Sequence, residues 1–294
     1  ANHLTQSAVH DRFLPATFPA FESLTAQSIV LVSCDLFQMV HTVKTPPVDK
    51  EAFEQNGFVV LPRFLNSKQV TEVVSNLDRY IQDIVPGLPE EHVFYEDRAD
   101  SKSLKQMQSL SEHDVWFGQF VVEGGFREVA EQLLSGPVIP KNLQYFSKPP
   151  GIGLPTPPHQ DGYYFMLSPC SALTMWLALD DVDEENGCVH YVARSHKDGM
   201  RPHGRTQTLG FSQGISDYPL DSDSLNEIPV PASPGDLIVH HAMTIHRAGG
   251  NTSLDRQRRA LGLVYYGQDA RQDDAAHTAY QQRLQAEMKA AGRI

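Results

Sequence analysis

Cysteine is scarce in this chain. Its three residues, Cys34, Cys170 and Cys188, are odd in number and lack the paired spacing of a zinc site. Neither a disulfide framework nor a thiolate metal centre organises the fold, and packed, reduced thiols of a cytoplasmic compartment are expected. Long apolar runs are missing too. No stretch reaches the roughly 18 residues that a membrane-spanning helix needs. The apolar stretch 29–40 is broken by Asp35 and no basic segment precedes it, so it is not expected to act as a signal peptide. Positive charge is also in the minority: 24 Lys and Arg against 36 Asp and Glu leave a net −12. Nucleic acid and anionic membranes are therefore excluded as main partners, which leaves a small molecule. There is no internal repeat and no low-complexity tract, which excludes a solenoid.

What is present divides the 294 residues into an N-terminal extension, 1–48, and a single domain, 49–294. The extension has no clean period and suits either packing on the outside of the domain or wrapping a partner subunit in a homodimer. From residue 49 the signals sharpen. Asp49 caps a short helix that Gly57 ends, and 58–61 reads as a strand. Asn66 or Ser67 opens a longer helix with Val70, Val73, Leu77 and Tyr80 on one face. Further helices are expected over 104–117 and 126–134. Beyond 138 the pattern changes to short β-type runs at 142–147, 162–167, 172–179, 189–192, 237–241 and 259–266. Helices followed by many short strands predict an α+β fold with a mainly β core, a sandwich or barrel flanked by N-terminal helices. The polar segment 197–231 reads as a long, lid-like insertion between strands, and 275–292 as an amphipathic C-terminal helix.

The chemistry gathers at two distant places. In Pro157-Pro158-His159-Gln160-Asp161, His159 and Asp161 are two apart, so on a strand both side chains face one point. A second β-rich run, 235–246, delivers His246. Two imidazoles and one carboxylate with positions left open match the ligand set of non-haem iron(II) oxygenases; a closed zinc site would want four ligands and more sulfur. His240 and His241 are neighbours on a strand, so only one of them can face the pocket. Farther on, Arg258 shares a strand face with Ala260 and Gly262. These small neighbours would leave room beside a guanidinium, whose planar fork suits a carboxylate. Arg256 reads as a solvated surface charge, and Asn186-Gly187 as a tight turn.

In this order the motifs resemble the phytanoyl-CoA dioxygenase family. The matching pieces are Phe53-Glu54-Gln55-Asn56-Gly57-Phe58, Lys148-Pro149-Pro150-Gly151, His159-Gln160-Asp161, Trp176, Glu185-Asn186-Gly187-Cys188, Ser195-His196-Lys197, Gly235-Asp236, His246, Asn251 and Arg258, over about residues 49–268. The resemblance implies a double-stranded β-helix (a cupin-like jelly roll) with one Fe(II), 2-oxoglutarate as cosubstrate and O2. It implies that His159, Asp161 and His246 bind iron, and that Arg258 holds the far carboxylate of 2-oxoglutarate. Trp176, Gln144 and Lys105 would contact that cosubstrate. The sequence departs from the family at Ala248, where some members carry a hydroxyl, and at Ala193-Arg194 in place of Pro-Gly. The implied reaction is oxidation of a substrate C–H bond, by hydroxylation, with release of succinate and CO2. Asp161 fills the position that a halide takes in related halogenases, so halogenation is not expected. Arg201, His203 and Arg205 of the insertion are candidates to greet an anionic group. With no sizeable basic groove for CoA phosphates, a small polar metabolite is the expected substrate. Two other readings compete: a catalytically silent jelly-roll binding protein, and a cupin-type metalloenzyme that does not use 2-oxoglutarate.

Overall fold

The computed structural model describes residues 45–123, 125–206, 208 and 212–291. Most of the N-terminal extension, Cys34 and the homodimer expectation built on that extension lie outside the described residues.

The first helices form where capping chemistry places them. The Asp49 side chain accepts from the Ala52 amide, opening α1 (Lys50–Asn56), and Gly57 closes it in the left-handed region at φ 85°. Strand β1 (Phe58–Leu61) follows. A capping box between Asn66 and Gln69 starts α2 (Ser67–Asp83), whose Val70, Val73, Leu77 and Tyr80 are buried as the periodicity predicts. The next segment differs from expectation. Val93–Tyr95 forms β2 and Leu104–Met107 forms β3, and the helices begin only at α3 (Leu110–His113) and α4 (Val115–Glu123). All four residues of β3 are buried, and backbone pairing on both sides outweighs their helical pattern. Helix α5 (Gly125–Leu134) leads into β4 (Val138–Lys148).

The β core then follows as β5 (Thr156–His159), α6 (Asp161–Phe165), β6 (Leu167–Ser168), β7 (Ala172–Ala178) and β8 (Val189–Val192). After these come β9 (His203–Arg205), β10 (Gln213–Ile215), α7 (Asp221–Asn226), β11 (Glu227–Val230), β12 (Leu237–His241), β13 (His246–Ala248), β14 (Arg258–Gly267), β15 (Arg271–Gln272) and α8 (Asp274–Ala290). A seven-stranded sheet in the order β1-β12-β7-β14-β4-β3-β2 and a four-stranded sheet in the order β11-β8-β13-β5 are antiparallel throughout. Together they make the expected jelly roll. The pairs β9–β10 and β6–β15 add two short ribbons.

Two expectations are corrected. The aromatic run after Asp161 is a turn of helix, α6, because the Gly162 amide bonds back to the Ala242 carbonyl and turns the chain out of the sheet. The polar insertion is largely built structure. Its last residues form β11 on β8, and Pro229 is tolerated because β11 is an edge strand.

Strand alternation divides the interior. Leu173, Met175 and Leu177 of β7, Leu237 and Val239 of β12, and Leu261, Leu263 and Tyr265 of β14 join α2, α4 and α5 in the main core. The residues between them, including Trp176, Ile238 and Ala260, pack towards the second sheet with Val189 and Tyr191. The same period of two puts Thr174, His240, Arg258 and Lys148 on that inner face.

Candidate active site

His159 ends β5, and His246 opens β13 directly opposite it in the register. Residues facing each other across a sheet share a face, and the two rings lie 4.2 Å apart. Gln160 stays extended (φ −119°, ψ 125°), so the alternation carries through to Asp161, the first residue of α6. Gln160 itself points away, fully buried. Its amide nitrogen donates to the Gly199 and Met243 carbonyls, and its side-chain oxygen accepts from the Arg201 amide. Gly162 is required next: a Cβ there would stand 2.8 Å from the Cys170 sulfur.

One ligand atom from each of His159, Asp161 and His246 falls within 4.8 Å of the others. Asp161 Oδ1 is 3.4 Å from His159 Nε2 and 3.8 Å from His246 Nε2. The other ring nitrogens fix the tautomers. His159 Nδ1 lies 2.8 Å from the Pro157 carbonyl and His246 Nδ1 3.0 Å from the Thr244 carbonyl. A carbonyl only accepts, so each Nδ1 carries the proton and each Nε2 turns a lone pair to the centre. Burial also pulls the His246 pKa well below its ordinary value, which keeps the ring neutral. Burial alone would raise the Asp161 carboxyl. The imidazoles around it, with His240 donating to Oδ2, overcome burial and hold the group well below the usual carboxylate range. Two lone pairs and an ionised oxygen thus converge, the donor set of a divalent metal with open positions.

Asp161 is aimed by groups that the sequence reading did not assign. Its Oδ2 accepts from the Thr174 hydroxyl at 2.6 Å and from His240 Nε2 at 3.1 Å. His240 Nδ1 in turn lies 3.0 Å from the Tyr191 hydroxyl, and burial pushes that phenol well above its ordinary pKa, so it keeps its proton. The chain Tyr191→His240→Asp161 therefore runs in one direction, leaving Oδ1 for the centre. Thr174 was legible in principle, since it sits two residues before Trp176 on the same strand face.

From His159 and His246 a cavity of about 60 Å3 leads to Arg258, walled by Trp176, Lys105 and Lys148. Arg258 is buried, its guanidinium lies 5.6 Å from the Trp176 ring, and its Nε has no hydrogen-bond partner among the described residues. Burial lowers its pKa to about 10. Lys148 stands opposite Arg258 in the β4–β14 register, a like-charge pairing that disfavours the empty state. Lys148 Nζ reaches the Leu154 carbonyl, and burial with the charges of Arg258 and Lys105 pulls its pKa well down. Lys105 pairs with Glu96 at 3.1 Å. Arg247, also on the wall, pairs with Glu227, so Arg258 is the guanidinium left for a ligand carboxylate, which fits the far carboxylate of 2-oxoglutarate.

The remaining candidates fall as follows. Gln144 accepts from Gln106, and it is Gln106 that lines the cavity. The space at Gly262 is taken by the Phe146 ring, 2.6 Å from where a Cβ would sit, so the room expected beside Arg258 at that position is filled from within. Asn251 donates to the Lys148 and Arg256 carbonyls and holds the turn into β14. Arg256 pairs at the surface with Asp183 and Glu185. In the insertion, Arg201 is bound by Asp217 and Asp223, Arg205 pairs with Glu287, and the His203 ring stacks on Tyr163 at 4.3 Å. Their own partners occupy them, so they do not form the anion-greeting group expected.

Comparison with known proteins agrees with this geometry. The family model for phytanoyl-CoA dioxygenase (PhyH) matches residues 53–260. The chain belongs to the PhyH family. Among relatives of this PhyH chain, phytanoyl-CoA dioxygenase 1 of Oryza sativa subsp. japonica is 28% identical over 244 residues, 72% of this chain and 85% of that one. A carbocyclase, SnoK from nogalamycin biosynthesis, described as non-haem and alpha-ketoglutarate-dependent, superposes with a TM-score of 0.61 at 26% identity, covering 79% of this chain and 88% of its own. EvdO2 from Micromonospora carbonacea var. aurantiaca, solved with 2-oxoglutarate, has a TM-score of 0.61 at 24% identity, covers 78% and 95% of the two chains, and speaks to the fold. This PhyH member is a non-haem iron- and 2-oxoglutarate-dependent dioxygenase. Among its described residues no helix is long and apolar enough to cross a membrane.

Proposed function

We propose that His159, Asp161 and His246 hold Fe(II), that Arg258 takes the far carboxylate of 2-oxoglutarate, and that the enzyme hydroxylates a C–H bond of a small-molecule metabolite. The balance is one C–H bond, 2-oxoglutarate and O2 giving C–OH, succinate and CO2. The observation that carries this reading is the cavity joining His159 and His246, two of the three clustered ligands, to a buried guanidinium whose Nε is unpartnered among the described residues. When bound, iron and 2-oxoglutarate supply the oxidising power. The chain's own residues do the rest. The Nδ1–H bonds to Pro157 and Thr244 lock both imidazoles. Thr174 and His240 fix the carboxylate, and Trp176 covers the arginine so that water does not compete for it. Asp161 in the third ligand position supports oxygen insertion over halogenation. The unpaired thiols Cys170 and Cys188 support a reducing, cytoplasmic compartment.

The test is calorimetric binding of 2-oxoglutarate in the presence of Mn(II), with succinate release under Fe(II) and ascorbate. Wild type is expected to do both. Asp161→Ala is expected to lose metal by elemental analysis and to drop succinate release at least about a thousandfold, with the fold intact by circular dichroism. Full turnover by that variant, with no added ligand, would remove Asp161 from the site.

A further inference from the structure

Beyond the inner cavity lies a larger chamber of about 610 Å3, between α8, the β9–β10 ribbon and the β2 edge of the large sheet. It adjoins the metal-ligand cluster. Tyr164, three residues past Asp161, lines the chamber; its ring meets His159 edge-on at 6.1 Å and Tyr280 of α8 at 6.4 Å. Its hydroxyl is tied to the Gln213 carbonyl at 2.7 Å, which fixes the shared wall. On the opposite side, Phe94 lines the chamber, and Gln106, its direct register partner, lines the inner cavity.

The charge of this chamber is unlike that of the inner cavity. Its one lysine or arginine, Arg205, is paired with Glu287, and Glu91 accepts from the Gln285 amide. Leaving aside His92 and His277, one positive and two negative side chains give −1, so no lysine or arginine among the described lining residues is free for a phosphate. Burying a polyanion there would leave its charges uncompensated. What the walls offer is largely neutral and in good part apolar: Leu284, Met288 and the rings of Phe94 and Tyr280, interspersed with the amides of Gln108, Gln281 and Gln282 and the hydroxyl of Thr278. Amides and hydroxyls pair with alcohol groups, aromatic faces pack on rings, and the volume suits a drug-sized molecule.

We infer that this chamber, walled by the C-terminal helix, is the substrate site, and that it takes an uncharged, polyhydroxylated ring compound, a glycoside in the simplest case, and rejects acyl-CoA thioesters. The inference rests on the dioxygenase reading above and adds the substrate class. Helix α8 is well placed for such a role. Of its residues only Tyr280 is buried, so most of the helix is free of the core and available to a ligand.

The experiment uses the full chain with Fe(II), ascorbate and 2-oxoglutarate, and reads succinate. The probes are phenyl β-glucoside and a flavonoid glucoside in one arm, palmitoyl-CoA and phytanoyl-CoA in the other. At least one glycoside is expected to raise succinate release about tenfold or more over the substrate-free rate, and neither thioester to raise it. Tyr280→Trp, which fills the chamber, is expected to raise the glycoside KM about tenfold with kcat changed much less. Gln281→Trp, at an exposed position that does not threaten folding, is expected to act in the same direction. Stimulation by a thioester, by neither arm, or an unchanged KM in both variants overturns the assignment. Calorimetry of 2-oxoglutarate with Mn(II) separates the two claims. If that binding is absent, the dioxygenase site assignment fails; if it is intact while thioesters turn over, only the chamber assignment fails.

Discussion

The molecule holds two adjoining spaces of opposite character. The inner one, about 60 Å3, is walled by Lys105, Lys148 and Arg258 with Glu96 as counter-charge. The outer one, about 610 Å3, has one arginine among its described lining residues, already paired, and mixes amides and hydroxyls with aromatic and aliphatic side chains. The inner space is built from strands of both sheets in fixed register. The outer one is closed by a helix with a single buried residue and by a ribbon within the insertion. The contrast sets a small charged pocket held by paired strands against a larger, mostly neutral chamber closed by a loosely packed helix.

The sharpest way to break the contrast is to empty the inner space of its charge. Arg258→Ala removes hydrogen bonds to a charged ligand, each worth about 1.5–3 kcal/mol. The KM for 2-oxoglutarate is expected to rise about a hundredfold in a succinate assay, while metal content by elemental analysis stays near wild type. If the KM were unchanged, the inner space would not be the cosubstrate pocket. A smaller effect is expected behind the ligands. His240→Leu removes the donor that aims Asp161 and should weaken metal affinity about 10–100-fold, read by titration with a fluorescent chelator. Equal affinity in that variant would reduce the Tyr191→His240→Asp161 chain to packing.

Much of the inner space was legible in the sequence, and the reason is local. His159 and Asp161 are two residues apart on one extended stretch, and Arg258 follows a turn into a strand, so the period of two suffices to aim them. What escaped depends on which strand lies beside which. Thr174 shares a strand face with Trp176, but that it and His240 reach Asp161 from β7 and β12, with Tyr191 of β8 behind His240, is announced by no spacing within the chain. Likewise Leu104–Met107 shows a helical pattern, yet pairing with β2 and β4 makes it a strand. Tyr163, Tyr164 and Phe165 favour strand by residue type, but one bond from Gly162 to Ala242 turns them into α6. The outer space was least legible, because it is assembled from an edge strand, a ribbon and a terminal helix far apart in sequence.

Acid should distinguish the sheet interior from both spaces. Burial, with the charges of His196 and His240, lowers the His241 pKa to about 4. An unfolded histidine binds its proton near pH 6.5, so below that the unfolded chain takes up a proton that the folded one refuses. The stability is fully present above about pH 6.5 and is lost as pH falls towards 4, up to about 3 kcal/mol for this one group. Denaturant melts from pH 7 to 4.5 are expected to show the loss in wild type and a shallower slope in His241→Gln; identical slopes would refute it. The smallest effect belongs to Arg256, two residues from Arg258 but paired at the surface. Arg256→Ala is expected to leave the thermal midpoint and the cosubstrate KM where they were. A marked loss in either would extend the anion pocket outward.

The burial of Arg258 opposite Lys148 has a consequence for stability. Under the proposed assignment 2-oxoglutarate binds beside Arg258 in the folded chain alone, so resistance to unfolding rises with the logarithm of its concentration. At a hundred times the dissociation constant, that gain is about 2.7 kcal/mol.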